Sequence, residues 1–179
     1  MIEKARVIFD KHVKNEQIRK HCLKVASIMK AVAASLGEDS ERWEIAGLMH
    51  DSDCELVGIE EQGNKAAEIL EKESFDSDIC HAIRAHNEEN TKVNRESKFD
   101  YVLSAADNIS GLIYAYALMR GSMEGMKIKG LKEKLKMKSF AATVRRDLIY
   151  DIEKFMPLDK FLEIAIKAIK EIKQEIGLK

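Results

Sequence analysis

Apolar residues recur at helical spacing through most of the chain, and the alternation of Val, Ile and Thr with polar residues that would write a strand is missing. An all-α fold is expected. Residues 2–13 form a first amphipathic stretch, and Asn15 can cap a second helix that runs to Leu36, where Gly37 supplies a stop. Asp39 or Ser40 can cap a third, which carries Trp43, Ile45, Ala46, Leu48 and Met49 into the string GLMHDSDCE. After a loop around residues 58–63, further helices begin near Asn64 and Asp76. Residues 98–119 are the most apolar stretch and should form a central, buried helix. Beyond the turn GSMEG, a lysine-rich stretch leads into helices at 140–155 and 158–176, with Pro157 between them. Neither an internal repeat nor a low-complexity linker divides the chain, so residues 1–179 read as a single domain.

The same pattern puts polar side chains where apolar ones are expected. At 100° per residue His21 shares a face with Ile18, Val25, Ile28 and Val32 and should point inward. For one such histidine, a hydrogen-bonded core residue is the default reading. His50 and Asp51 end an apolar helix turn, and burying both without a cation costs on the order of several kcal/mol. Asp107 is the only charged residue between Tyr101 and Met119 in YVLSAADNISGLIYAYALM. A carboxylate there is protonated, paired with a base or bound to a metal, and Ala105, Ala106, Ser110 and Gly111 are small enough to allow close approach. Two imidazoles and two carboxylates suit one divalent ion such as manganese, iron, nickel, cobalt or zinc, with magnesium not distinguished from these, better than a thiolate-preferring ion.

Composition narrows the classes. A hydrophobic content of 45% over 179 residues can bury a sizeable core. The 30 basic residues nearly cancel 31 acidic ones, which argues against obligate nucleic-acid binding. Cys22, Cys54 and Cys80 lie far apart with no Cys-x-x-Cys pair, as free thiols in a reducing compartment would. The start MIEKARVIFDKHVKNEQ lacks the apolar centre of a signal peptide, and no apolar run crosses a membrane uncharged; a cytoplasmic location and no membrane partner are expected. The stripe Phe161, Leu162, Ala165, Ile166, Ile169, Ile172 and Ile176 should pack onto the bundle, with a homodimer seam as the other use for it.

His21, the doublet His50-Asp51 and the later Asp107 stand in the order of the HD superfamily of metal-dependent phosphohydrolases, which this chain resembles. The strings IRKHCLKVASIM, IAGLMHDSDCE and LSAADNISGLI are similar to the motif helices of its small HD hydrolases. The resemblance covers about residues 15–119 and leaves 120–179 as a C-terminal helical extension. It implies an HD-domain-like helical bundle with additional C-terminal helices, and His21, His50, Asp51 and Asp107 as metal ligands. The implied substrate is a small phosphorylated molecule: a phosphomonoester, a nucleotide or a phosphodiester. Two-metal members carry further histidines between the doublet and the last aspartate. Here the first of those positions falls near Gln62 and the second resembles His86, so one metal is expected. His86 shares the face of Ile79, Ala82 and Ile83, whereas His81 lies almost opposite and should meet solvent.

Glu55 lies four residues after Asp51 and would share its face if the helix continues; with Asp53 it is the candidate proton carrier, against the plain reading of two loop acids. Phosphate binding needs cations, and KIKGLKEKLKMKSFAATVRRD is rich in them. Phe140 and Ala141 resemble a Phe-Ala pair in the basic segment of relatives, which favours Lys138 and Arg145 as site-lining groups, while such a run is usually a solvated face. Two further readings stand beside the hydrolase: a catalytically silent HD domain that binds a nucleotide or phosphorylated ligand as a regulatory module, and a helical interaction module with structural histidines.

Overall fold

The computed structural model describes residues 1–179 and contains no strand. Its helices are α1 (Ile2–His12), α2 (Glu16–Leu36), α3 (Ser40–Met49), α4 (Asn64–Lys72), α5 (Ser77–His86), the short α6 (Glu88–Thr91), α7 (Lys98–Arg120), α8 (Ile128–Lys136), α9 (Arg146–Tyr150) and α10 (Leu158–Glu171), with a 3-10 turn at Asp151–Lys154. Local chemistry sets the key boundaries. Asn15 Oδ1 accepts from the backbone N–H of Gln17 (2.8 Å) and Ile18 (3.2 Å) to start α2, and Asp39 caps α3 in the same way. Ser97 and Asp100 form a reciprocal capping box at the start of α7.

Only three residues separate α2 from α3, so α3 runs back along α2 and returns its C-terminal end to the start of α2. Their contact is close because Gly47 has no Cβ: one built there would lie 2.7 Å from Ala26 Cα. α7 crosses the middle of the bundle against α2, α5 and α9, and the Trp43–Phe99 stack, with ring centroids 5.1 Å apart, joins α3 to its first turn. By length and composition α7 alone could cross a membrane, but most of its apolar window is buried among the other helices. The C-terminal helices share this core: Phe161, Leu162, Ala165 and Ile169 are fully buried, and α10 packs on α2.

Four expectations need correcting. α3 stops at Met49 and residues 50–57 are turns, so no helix carries Glu55 onto the face of Asp51. The lysine-rich stretch contains α8, which buries Leu131 and Leu135 and turns its lysines outward. The helix expected from residue 140 begins only at Arg146, because the Arg146 guanidinium gathers the preceding chain. It donates to the carbonyls of Leu135 (3.0 Å), Met137 (3.0 Å), Ala141 (3.3 Å) and Val144 (2.8 Å), and to that of Phe140. These bonds hold residues 137–144 in turns, in which the Met137 and Ala141 carbonyls also accept the backbone N–H of Phe140 and Val144, both at 3.0 Å. The last helix ends at Glu171 rather than 176 and is followed by turns.

Candidate metal centre

The antiparallel α2–α3 pair brings His21, in the second turn of α2, beside His50, the residue that ends α3. Asp51 follows on the turn, and α7 crossing beneath them supplies Asp107. Their donor atoms converge. His21 Nε2 lies 3.1 Å from His50 Nε2, 3.0 Å from Asp107 Oδ1 and 3.5 Å from Asp51 Oδ2. His50 Nε2 lies 3.5 Å from Asp51 Oδ2 and 3.9 Å from Asp107 Oδ1. Ligands about 2.0–2.2 Å from one ion are separated by about 3–3.5 Å, so His21, His50 and Asp51 could hold a divalent cation, with Asp107 Oδ1 set against His21.

The tautomers agree with that fit. His50 Nδ1 faces the Gly47 carbonyl at 2.8 Å and must donate to it, which leaves Nε2 as a lone pair aimed at the cluster. His21 Nδ1 faces Ser110 Oγ at 3.4 Å, and that hydroxyl donates to the Asp107 carbonyl at 2.8 Å. Two imidazole lone pairs and two carboxylates in one place repel one another unless a proton or a cation lies among them. Burial holds the His50 pKa below its ordinary value and keeps the ring neutral. For His21, burial pushes down, but the hydrogen bond and charge of Asp107 and the charge of Asp51 push harder, and the net direction is up. Burial also works against both carboxylates, yet His50 and its neighbours hold Asp51, and His21 holds Asp107, below the usual carboxylate range. These carboxylates are ionised at neutral pH, as metal ligands must be. Asp107 was expected to be sealed in the core; its side chain is 28% exposed because it faces an opening.

That opening is a cleft of about 370 Å³, whose lining includes Asp107, His86, Gln62, Asn108, Thr143 and Arg145. His86 sits at the junction of cleft and cluster, with Nε2 3.4 Å from Asp51 Oδ1 and Nδ1 bonded to the Ile83 carbonyl. Burial lowers its pKa, and the Asp51 carboxylate more than restores it, for a net rise. Gln62, where a further histidine stands in two-metal relatives, lines the cleft near it.

The remaining sequence candidates fall elsewhere. Glu55 is exposed and turned toward the start of α2, where Oε2 accepts from the backbone N–H of Lys14 (2.7 Å) and Asn15 (2.9 Å). Asp53 is fully buried and accepts from the N–H of Gly63 and Ala66, both at 2.8 Å, pinning the 50–63 loop to the start of α4. Gly63 holds φ at 87°, and a Cβ there would meet the Ile83 carbonyl at 2.9 Å, so this junction requires glycine. Lys138 is exposed and does not line the cleft. Arg145 does line it, but its guanidinium is held by Asp147 and Glu89. His81 is half-buried, 3.4 Å from Asp100 Oδ2, rather than free in solvent. All three cysteines are free, and burial pushes each thiol upward, away from the thiolate that would bind metal.

Sequence reasoning missed Asn87 and Asn108, and took Arg146 only as one of the cations of the basic segment. Asn87 Nδ2 donates to the Gln62 carbonyl at 2.9 Å, and Asn108, beside Asp107, accepts from the Arg145 N–H at 2.8 Å. Lys24, one turn beyond His21, was also passed over: its buried ammonium lies 4.1 Å from the Tyr114 ring centroid, and burial lowers its pKa to about 8.

An all-helical bundle with a His-Asp cluster that could hold a divalent ion, at the floor of an open cleft, defines a class of α-helical protein. Comparison places the chain within it: the HD domain profile matches residues 18–112, which include all four donors and more than half of the sequence, and the chain belongs to the HD domain family. It is 35% identical to ribonuclease Y of Oleidesulfovibrio alaskensis over 100 residues and 35% identical to that of Lawsonia intracellularis over 99. Ribonuclease Y of Mycoplasma mycoides subsp. mycoides is 34% identical over 98 residues. These matches cover 53–54% of this chain but only 18% of each relative. No solved structure matches significantly.

Proposed function

We propose that this chain hydrolyses a phosphate ester at a single divalent metal ion held by His21, His50, Asp51 and Asp107. The observation that carries the reading is the convergence of four donor atoms, from two helices and the turn after a third, at the floor of a cleft open to solvent. A divalent ion so bound neutralises a phosphoryl oxygen and lowers the pKa of water from 15.7 to about 7. The protein's own groups supply the rest. His86, whose pKa Asp51 raises, faces Asp51 and the cleft through Nε2, and its imidazolium form can pass the Nε2 proton to a leaving oxygen. Asn108 and Thr143 offer hydrogen bonds that orient the substrate. Glu55 takes no part, and Asp53 acts by holding the loop behind the doublet.

The test is metal content and phosphate release measured together, with 4-nitrophenyl phosphate and added Mn²⁺, in the wild type and in Asp51→Ala. Metal and release should both be lost in the variant while helicity remains; release that persists at the wild-type rate sinks the reading. Similarity to ribonuclease Y supports including a phosphodiester such as bis(4-nitrophenyl) phosphate. A second reading, a silent domain that binds a phosphorylated ligand and regulates, is favoured by one observation: neither loop acid reaches the cleft, which leaves it without the proton carriers expected from the sequence. A ligand-induced rise in melting temperature without product would select it.

A further inference from the structure

The cleft has two arginines on its wall, and each is paired with carboxylates. Arg95 gives Nε and Nη2 to the two oxygens of Glu88 (3.0 and 2.9 Å) and Nη1 to Asp151 (3.0 Å), and its side chain is only 12% exposed. Arg145 gives Nε and Nη2 to Asp147 (3.2 and 2.9 Å) and Nη1 to Glu89 (2.5 Å). Each guanidinium is therefore matched by two carboxylates, and among the residues that line the cleft Glu88 and Glu89 balance Arg95 and Arg145. The rest of the polar lining, Gln62, Asn87, Asn108 and Thr143, is uncharged apart from the floor groups His86 and Asp107, and no Phe, Tyr or Trp lines the cleft.

We infer that this site, on the phosphohydrolase reading above, takes substrates with a single phosphoryl group on a neutral polar remainder such as a polyol or nucleoside, and rejects polyphosphates. One phosphoryl group finds its counter-charge at the floor. A second or third would extend toward Glu88 and Glu89 with no unpaired cation to meet it, and like charges in a half-enclosed cleft repel more strongly than in water. Recruiting the largely buried Arg95 would strand the Glu88 carboxylate that it holds through two hydrogen bonds. The Gln62 amide and the Thr143 hydroxyl, by contrast, both donate and accept, which suits hydroxyl groups on the substrate.

The experiment compares adenosine 5′-monophosphate and glycerol phosphate with ADP, ATP and inorganic pyrophosphate, on the Mn²⁺-loaded protein at equal free Mn²⁺ and ionic strength. Turnover and equilibrium dialysis are run side by side. A kcat/KM about tenfold or more higher for the monophosphates is expected, and Glu88→Gln with Glu89→Gln should narrow that ratio, the monophosphate rate serving as the internal reference. Equal or better use of ATP or pyrophosphate overturns the inference and leaves the phosphohydrolase reading intact. Preferential binding of adenosine monophosphate without turnover of any compound keeps the inference and sinks that reading. If nothing is bound or turned over, both fall.

Discussion

The floor of the cleft and its rim are built by different means. At the floor, His21 and Asp107 lie within α2 and α7, and His50, the C-cap of α3, keeps helical backbone angles, so the packing of these three helices places them. At the rim, segments 50–63 and 137–145 have little regular structure and are held by single side chains bonded to backbone: Asp53 to Gly63 and Ala66, Asn87 to Gln62, and Arg146 to five carbonyls. A floor set by helix packing tolerates small changes outside the donors themselves. A rim set by individual hydrogen bonds should fail one side chain at a time. The comparison can be broken by showing that the floor depends on the rim.

The largest effect is expected at the floor. His50→Ala removes a fully buried donor from the centre of the cluster, and metal affinity should fall by more than the roughly 10–100-fold typical of losing an outer partner. Metal titration against the folded variant measures it. Because the ligands must be deprotonated, wild-type affinity should also fall as pH drops and the imidazoles protonate, and the raised pKa of His21 makes that ring the earlier competitor for protons. A variant that retains full metal affinity would dissolve the distinction drawn here.

Next in size is the anchor behind the doublet. Asp53→Ala leaves the buried N–H groups of Gly63 and Ala66 without an acceptor, at a cost of about 2–4 kcal/mol. A fall of roughly 5–15 °C in Tm should follow. Metal affinity should drop by less than in His50→Ala; an equal drop would show that the loop, and not helix packing, positions His50 and Asp51.

This division also explains what was legible in the sequence. The helix limits at Asn15, Gly37 and Asp39 and the donor set could be read because caps and the 3.6-residue period are local. The exit of the chain after Met49 could not: whether a helix continues past His50 depends on Asp53 finding Gly63 and Ala66 ten and thirteen residues on. For the same reason the 140–155 helix was overextended. Nothing in the apolar pattern of FAATVRRD tells that Arg146 will collect the carbonyls before it. The neutralisation of Arg145 by Glu89, 56 residues away, is likewise a tertiary fact. Two acids close to the doublet looked chemical because the sequence shows proximity along the chain and not direction.

A smaller effect is expected from Arg146→Ala, which releases residues 135–144. Stability should fall by about 1–2 kcal/mol, and amide exchange should quicken across 137–145 while α2 and α3 keep their protection. Arg146→Lys should not restore it, because an ammonium with three donors cannot serve five carbonyls held in a planar fork. If exchange quickens equally in α2, the rim and floor are one cooperative unit.

The smallest effect separates Glu55 from the chemistry it was first read into. Its carboxylate accepts the backbone N–H groups of Asn15 and then Lys14, and these bonds hold its pKa below 4.5. A depressed carboxyl contributes stability that is fully present above its unfolded pKa and is lost as pH falls through the folded one. Glu55→Ala should therefore melt slightly below the wild type at neutral pH, and the gap should close as the buffer is taken below pH 4.5. Metal content and any turnover should stay at wild-type values at neutral pH, because the group faces the start of α2. A selective loss of turnover with metal and Tm unchanged would return Glu55 to the reaction and mean that the turn after Asp51 swings toward the cleft when substrate binds.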